Sequence, residues 1–273
     1  MRTLAKVIRY YGVDFSGARD AGRRVWVATA VADGNLSRVV GLQRGQELPG
    51  SARARETCLQ ALWKFISGQE ECVVGLDFPF SLPAEVLPRG GWRSFVLGFH
   101  RRYPSAADFR QACRSASQGR ELRRRTDIAA KTPWSAYNLR LYRQTYYGIR
   151  DVLRPLVRDR SALVIPFDEP RAGVSWVLEV CPASTLKSLS LNQPYKGRQG
   201  GREEARERII RSLEKRRLVA VSKDIRDTVI ADKGGDALDS VIAAIAALRS
   251  ARDPSVLRAA RKRPYLREGY VFI

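Results

Sequence analysis

The chain has 273 residues, of which 44% are hydrophobic and 28% are charged. This composition excludes a disordered chain and favours a globular protein with a substantial core. Lysine and arginine outnumber the acidic residues by 49 to 28, and the net charge of +21 favours nucleic acid as partner over the alternative of a merely solvated basic surface.

The N-terminal part predicts three strands in an antiparallel meander. Residues 7–13 form the first strand, and VWVATAVAD and LSRVVGLQR form the next two, joined by a turn at Asp33-Gly34-Asn35. The first strand ends at Asp14, where a buried carboxylate is costly unless a metal ion, hydrogen-bond donors or a paired base compensates it. Ser16 either hydrogen-bonds Asp14 or shapes the following turn, and the second role is favoured.

A helix and a second acid-terminated strand follow. The segment ARARETCLQALWKFISG predicts a helix that Ser51 caps, with an apolar stripe that ends before Gly68. Residues 72–76 form a continuous apolar run, as expected of a strand that is covered on both faces and pairs in parallel with an earlier one. Pro79 prevents further strand pairing, so Asp77 lies where this strand opens into a loop.

Residues 88–160 are predicted to be mostly helical and strongly basic, an insertion within a single domain that spans residues 1–273. Binding to phosphodiesters requires positive charge and, for unpaired bases, flat aromatic surfaces. Trp134 is one such aromatic, whereas the spacing of Tyr142 and Tyr146 favours core packing over base stacking. The insertion residues predicted to bind nucleic acid are Arg101, Arg102, Arg123, Arg124, Arg125 and Lys131.

The C-terminal third predicts a hairpin over residues 162–182, a charged surface helix over GGREEARERIIRSLEKRR and an unusually apolar helix over KGGDALDSVIAAIAALRS. Lys196, in the stretch YKGRQGGREE, is a further nucleic-acid-binding candidate, because its ammonium and the glycine amides could hold a phosphate; a simple entry into the next helix is the favoured alternative. Glu179, near the end of the second hairpin strand, could be a metal ligand, a base that orients water, or the salt-bridge partner of an insertion arginine, and the first two roles are favoured.

Four acids at the ends of apolar elements predict a metal site. Asp236 and Asp239 project from one face of the first turn of the last helix, where helix capping alone would explain one aspartate. Together with Asp14 and Asp77 they form a cluster of like charges that needs a cation, and oxygen-only ligands favour Mg²⁺ or Mn²⁺. Two such ions about 4 Å apart can activate water and stabilise the leaving oxygen of a phosphodiester. We therefore expect a metal ion, rather than a basic side chain, to neutralise Asp14.

The motifs GVDFSGA, GLDFPFSLP, EVCPAST and GGDALDSVIAA resemble those of domain-of-unknown-function family 429 (DUF429), a family of predicted nucleases with the ribonuclease H-like fold. The D-A-L-D pattern is also similar to that of the Holliday-junction resolvase branch of this fold. The resemblance extends from about residue 7 to residue 248. It implies an α/β fold with a five-stranded mixed sheet flanked by helices, and the basic helical insertion falls between the fourth and fifth strands. It also implies Asp14, Asp77, Asp236 and Asp239 as catalytic acids, and Glu179 is kept as a fifth catalytic candidate.

The remaining features concern redox state and location. Four widely spaced cysteines and a single histidine argue against a structural zinc site and predict reduced thiols in the core. Residues 1–15 lack the apolar stretch of a signal peptide, and no run approaches the roughly 20 apolar residues of a membrane span, so we expect a cytoplasmic protein with no membrane partner.

These features bear on three candidate functions. The first is a Mg²⁺- or Mn²⁺-dependent nuclease acting on DNA or RNA, and the second is an inactive nucleic-acid-binding module of the same fold. A third takes GVDFSGA as the first phosphate loop of an actin or sugar-kinase fold. That fold requires two duplicated domains and a second glycine-rich phosphate loop, which this sequence lacks.

Overall fold

A mixed β-sheet organises the part of the chain that the computed structural model describes, residues 8–273. Residue 7, with which the predicted first strand begins, lies outside this range. The strand order is β5-β6-β4-β1-β2-β3-β7, and β8 pairs with β6. The strands are β1 (Arg9–Asp14), β2 (Trp26–Asp33), β3 (Leu36–Arg44), β4 (Cys72–Leu76), β5 (Leu163–Ile165), β6 (Trp176–Val180), β7 (Val219–Ala220) and β8 (Val271–Phe272).

Helices cover both faces of the sheet. They are α1 (Ala21–Arg24), α2 (Arg55–Ser67), α3 (Gly91–Arg102), α4 (Ala106–Ala116), α5 (Arg125–Ala129), α6 (Tyr142–Tyr147), α7 (Arg154–Asp159), α8 (Pro182–Ser188), α9 (Arg202–Lys215), α10 (Lys223–Ala231), α11 (Asp236–Ala251), α12 (Pro254–Ala260) and α13 (Tyr265–Glu268). A π-helical segment, Gly148–Leu153, joins α6 to α7. None of the helices within residues 8–273 is long and apolar enough to cross a membrane.

The described sheet has eight strands, whereas the family resemblance implies five. The three shorter strands, β5, β7 and β8, have only 3, 2 and 2 residues. Strand β5 lies in the first arm of the predicted hairpin, whereas β7 and β8 are too short to produce a recognisable apolar period. The five longer strands form the mixed core of the sheet. Of these, β1, β2 and β3 make the predicted antiparallel meander, while β4 pairs in parallel with β1, as predicted, and β6 in parallel with β4.

The predicted hairpin over residues 162–182 is wrong. Strand β5 pairs with β6 in parallel, with Leu163 opposite Trp176 and Ile165 opposite Leu178. A hairpin would have reversed the chain, but the connecting residues 166–175 instead return it to the starting edge of β5. The alternation of apolar residues is identical for parallel and antiparallel pairs of short strands, so the sequence pattern did not distinguish them.

Alternate residues of the strands contribute to two separate cores. Tyr11, Val13 and Val74 face α2 and the helices of the predicted insertion, which include α3, α4, α6 and α7. Tyr10 and Val73 face α8, α9 and α11. The period of two along each strand therefore divides the apolar residues between the two faces.

Two local predictions at helix ends have different outcomes. Helix α2 ends at Ser67 with Gly68 as its C-cap, as predicted, but it begins at Arg55 with Ala54 as its N-cap, so the predicted cap by Ser51 is wrong.

The four cysteines are free thiols, and Cys58, Cys72 and Cys113 are buried.

Candidate active site

Parallel pairing brings Asp14 and Asp77 to the same edge of the sheet. Asp14 is the last residue of β1, and Asp77 directly follows β4, whose Leu76 lies opposite Val13. The backbone amide of Asp77 donates to the carbonyl oxygen of Val13 at 3.1 Å. The carboxyl ends of parallel strands meet at one edge, so these two acids are neighbours although 63 positions separate them in the sequence.

Two glycines bring α11 close to that edge. Gly12 of β1 lies opposite Gly75 of β4 in the sheet. A Cβ added to Gly12 would lie 2.1 Å from the backbone nitrogen of Ala244, and one added to Gly75 would lie 2.9 Å from the carbonyl oxygen of Ala243. The backbone of α11 therefore packs directly on the two central strands, with no side chain between them.

This packing places the first turn of α11 beside Asp14 and Asp77. Asp236 and Asp239 lie in that turn, as predicted, and Asp239 is buried whereas Asp236 is 29% exposed. The carboxylate of Asp232 caps the helix by accepting from the amide of Ala237 at 3.0 Å. The cap is thus supplied from outside the helix, which leaves Asp236 and Asp239 free for another role.

A basic side chain lies among these acids. The ammonium nitrogen of Lys196 is 2.5 Å from Oδ2 of Asp239 and 3.6 Å from Oδ1 of Asp236. The hydroxyl of Tyr195 donates to the other oxygen of Asp239 at 2.5 Å. Tyr195 is not recognisable as a site residue from the sequence, because its partner lies 44 positions away and no local pattern links the two.

The segment that carries these two residues is anchored by a buried arginine. Arg206, on α9, donates from Nη1 to the carbonyl oxygen of Tyr195 at 2.8 Å and from Nε to that of Ile230 at 2.7 Å. Helix α9 was predicted to be a charged surface helix, but Arg206 is only 1% exposed. Arg206 therefore holds in place the backbone of the segment that carries Tyr195 and Lys196.

The acids interact strongly with one another. Burial raises the pKa of Asp14 well above its usual value; Lys196 opposes this rise, and Asp236, Asp239 and Asp77 add to it. Burial, followed by the charge of Asp239, raises the pKa of Asp77 to about 8. Burial lowers the pKa of the Lys196 ammonium, but the carboxylates of Asp239 and Asp14 outweigh this effect, so that its pKa is raised. The four predicted acids and Lys196 form one electrostatic unit.

These residues fit a divalent metal by chemistry but not yet by position. Carboxylate oxygens are the ligands that Mg²⁺ and Mn²⁺ prefer. Across residues 8–273, however, no three side chains of His, Cys, Asp or Glu are placed so that they could hold one ion. We expected a metal ion rather than a basic side chain at Asp14; in the structure, the ammonium of Lys196 supplies a positive charge to this cluster. The sequence did not indicate this partner.

Glu179 and Arg124 form a buried ion pair on the other side of Asp77. Nη1 of Arg124 donates to Oε2 of Glu179 at 2.8 Å, and the same oxygen accepts from the amide of Phe80 at 2.8 Å. Arg124 also binds Asp127, with Nη2 2.8 Å from Oδ1. Of the three roles considered for Glu179, the salt bridge to an insertion arginine is therefore present, while a catalytic role stays a prediction.

Arg124 has to be removed from the predicted nucleic-acid contacts. Its side chain is 1% exposed. Its guanidinium pairs with the carboxylates of Asp127 and Glu179 and donates to the carbonyl oxygen of Glu268. The charge run of which it is part gave no sign of burial. The other insertion candidates lie on the surface and stay predictions; they are Arg101, Arg102, Arg123, Arg125 and Lys131.

A cavity of about 350 Å³ adjoins the acid cluster. Its lining includes Asp77, Asp239 and Lys196 and, from the predicted insertion, Thr132 and Trp134. Trp134 is 37% exposed, and the guanidinium of Arg140 lies 4.8 Å from its ring centroid. The cavity therefore combines carboxylates with an accessible aromatic ring and nearby positive charge.

The two tyrosines predicted to share a helix face occupy different environments. Tyr146 is buried and its hydroxyl donates to the carbonyl oxygens of Tyr103 and Pro104, both at 2.9 Å, which confirms the favoured core role. Tyr142 is partly buried, and Arg110 and Arg143 lie over its ring. Ser16 accepts from the amide of Ala18 at 3.3 Å, as expected of a residue that shapes the turn.

A known protein family matches most of the chain. The profile of the family described as "Protein of unknown function (DUF429)" matches residues 12–262, a range that includes all the acids described above. No curated protein and no solved structure matches the chain.

Proposed function

The chain belongs to the DUF429 family, whose description names no function, and from the geometry of its site we propose that it is a divalent-metal-dependent nuclease that hydrolyses phosphodiester bonds of DNA or RNA. The observation that carries the proposal is the convergence of Asp14, Asp77, Asp236 and Asp239 beside an open cavity. Three separate segments supply these acids.

A cluster of buried acids costs free energy of folding, and a functional role is the best explanation for its presence. Buried like charges destabilise the fold, and strongly perturbed acids concentrate at functional sites. The two-glycine contact between α11 and the sheet brings Asp239 to Asp14 despite that cost. Structural ion pairing alone would require fewer acids or more cations than this cluster contains.

The fold supports the same proposal. The five longer strands make a mixed sheet with helices on both faces, as the resemblance to ribonuclease H-like nucleases implies. We therefore propose that the core of this sheet has the ribonuclease H-like fold. The three short strands then extend a five-stranded core at its edges.

Each residue has a proposed role. Asp14 and Asp239 are the central ligands because both are buried and their charges interact, and Asp77 and Asp236 complete the set. A divalent cation bound there would stabilise negative charge on the phosphate and lower the pKa of an attacking water. Tyr195 orients Asp239, and the net positive charge of the chain attracts the phosphodiester backbone.

The second candidate is a module that binds nucleic acid without cleaving it. The contact between Lys196 and Asp239 favours this candidate, because a chain that neutralises its own acids has less need of a metal. The two candidates make different predictions for cleavage in the presence of Mg²⁺ or Mn²⁺.

Asp14→Asn tests the proposal. We expect this variant to lose metal-dependent cleavage of single-stranded and duplex oligonucleotides while its melting temperature stays equal or rises, because the substitution removes one of several mutually repelling carboxylates. Gel-based cleavage assays with Mg²⁺, Mn²⁺ or EDTA and a thermal melt measure the two effects.

The matched control is Asp227→Asn, at an exposed position on α10. It should cleave like the wild type. Wild-type cleavage by Asp14→Asn would contradict the role of the acids, and tight binding by the wild type without any cleavage would support the second candidate.

A further inference from the structure

We propose that Lys196 is a displaceable counter-ion: its ammonium holds the acids together in the metal-free protein and has to leave them when a divalent cation binds, so that Lys196 weakens metal affinity. The inference rests on the proposed metal site, and it goes beyond it by assigning control of metal affinity to a residue outside the ligand set.

The contacts of Lys196 are those of a counter-ion. Its Nζ lies 2.5 Å from Asp239 and 3.6 Å from Asp236, and its charge also acts on Asp14 and Asp77. A divalent cation would use the same oxygens. The ammonium and the cation therefore compete, through occupied space and through like charge.

The side chain can leave without a change in the backbone. The carbonyl oxygen of Tyr195 is held by Arg206, and the amide of Gly197 donates to the carbonyl oxygen of Lys233 at 2.8 Å, so both flanking peptides are fixed. The Lys196 side chain as a whole is 51% exposed, although its ammonium group lies among the partly desolvated acids. Rotation about its own side-chain bonds is enough to move the ammonium away from Asp239.

The displaced ammonium of Lys196 can enter the adjoining cavity. Lys196 and Asp239 both line it, so the ammonium can move from the acid cluster toward the space in which a phosphodiester would lie. Lys196 would then exchange a carboxylate for a substrate phosphate. Metal binding and phosphate binding would consequently favour each other.

The direct test is Mn²⁺ binding by calorimetry without substrate at pH 8.5, where proton competition at the carboxyl groups is reduced. Lys196→Met should bind Mn²⁺ at least about tenfold more tightly than the wild type, since it removes the competing charge. Arg198→Met is the matched control, because it removes the same charge from an exposed position of the same loop, and it should bind like the wild type. Lys196→Arg keeps the charge and should not gain affinity.

The outcomes separate the two proposals. Equal or weaker Mn²⁺ binding by Lys196→Met overturns the counter-ion role and leaves the metal site standing. A lack of Mn²⁺ binding by the wild type and by every variant overturns both proposals.

A second measurement uses the wild type alone and so does not depend on the folding of a variant. Acetylation of lysines by an amine-reactive reagent, read by mass spectrometry, should be slow at Lys196 in EDTA and several-fold faster when Mn²⁺ is added. Lys223, an exposed residue at the start of α10, should react at the same rate in both conditions. Unchanged reactivity of Lys196 in saturating Mn²⁺ would overturn the displacement.

Discussion

At the scale of single residues, burial of charge is the dominant feature of this protein. Asp14, Glu179, Asp239, Arg124 and Arg206 all have side chains that are almost inaccessible to solvent. Their charges are compensated differently: Glu179 and Arg124 by each other, Asp239 by Lys196 and Tyr195, Arg206 by backbone carbonyl oxygens, and Asp14 only through the nearby charge of Lys196. Removing Glu179 or Arg124 would leave the other charge of this buried ion pair without its partner, which costs about 3–5 kcal/mol.

The raised pKa of Asp77 predicts a specific dependence of stability on pH. Its pKa is about 8 in the folded protein, because of burial and of the nearby Asp239, whereas it is about 3.9 in an unfolded chain. Between these values the folded state keeps a proton that the unfolded state has released. The contribution of Asp77 to stability is therefore fully present below pH 4 and is lost as the pH rises toward 8.

Asp77→Asn should show a smaller loss. We expect its free energy of unfolding, measured by denaturant titration in EDTA, to fall less than that of the wild type between pH 4 and pH 8. Asp227→Asn, which lies outside the acid cluster, should follow the wild type. Parallel curves for Asp77→Asn and the wild type would show that Asp77 is ionised throughout this range.

At the scale of elements, the contact between α11 and the sheet determines the site. The helix lies on β1 and β4 at a distance that only glycine permits at positions 12 and 75, and its first turn carries two of the four acids. The sequence predicts the helix and the strands, but it does not predict their separation. A shift of α11 by the width of one methyl group would move Asp239 away from Asp14.

Gly12→Ala tests this packing. The new Cβ would lie 2.1 Å from backbone atoms of Ser240 and Ala244, so α11 or β1 has to move, and we expect a loss of at least about 1–3 kcal/mol in the free energy of unfolding. Gly41→Ala on β3 is the control, since its Cβ would meet only the side chain of Thr29, at 3.5 Å. It should retain the stability of the wild type, and equal stability of the two variants would contradict the close-packing argument.

At the scale of the whole molecule, the net charge of +21 sets the electrostatic attraction between the protein and a polyanion. Arg124 and Arg206 are buried, so part of this positive charge does not lie on the surface. Near the cavity, however, Arg140 and Arg143 are exposed, and the carbonyl oxygen of Arg143 approaches Gly17 in the loop that follows Asp14. If nucleic acid binds at the acids, we expect it to contact these two side chains.

Charge reversal at this rim should change the salt dependence of binding. We expect the double variant Arg140→Glu and Arg143→Glu to bind an oligonucleotide more weakly, with a slope of log affinity against log salt that is smaller by about 1–2, as for the loss of two phosphate contacts. Fluorescence anisotropy in EDTA over a range of salt concentrations measures both quantities.

The matched control reverses Arg258 and Lys262. Helix α11 has 16 residues and is therefore about 24 Å long, so α12, which follows its C-terminal end, lies far from the acids at its first turn. This control keeps the same net charge as the rim variant. Equal loss of binding in both variants would mean that the whole surface attracts nucleic acid and that the rim has no special part in binding.

The sequence by itself determined the elements and the acids that end them. The strands from Arg9 to Leu76, the apolar helix α11 and the positions of Asp14, Asp77, Asp236 and Asp239 follow from local apolar periods and from polar residues at their ends. Only the tertiary structure decided that Lys196 faces Asp239, that Arg124 is buried against Glu179 and that β5 runs parallel to β6. These outcomes depend on which distant segments approach each other, because both the cost of burying a charge and the partner that compensates it are properties of the folded chain.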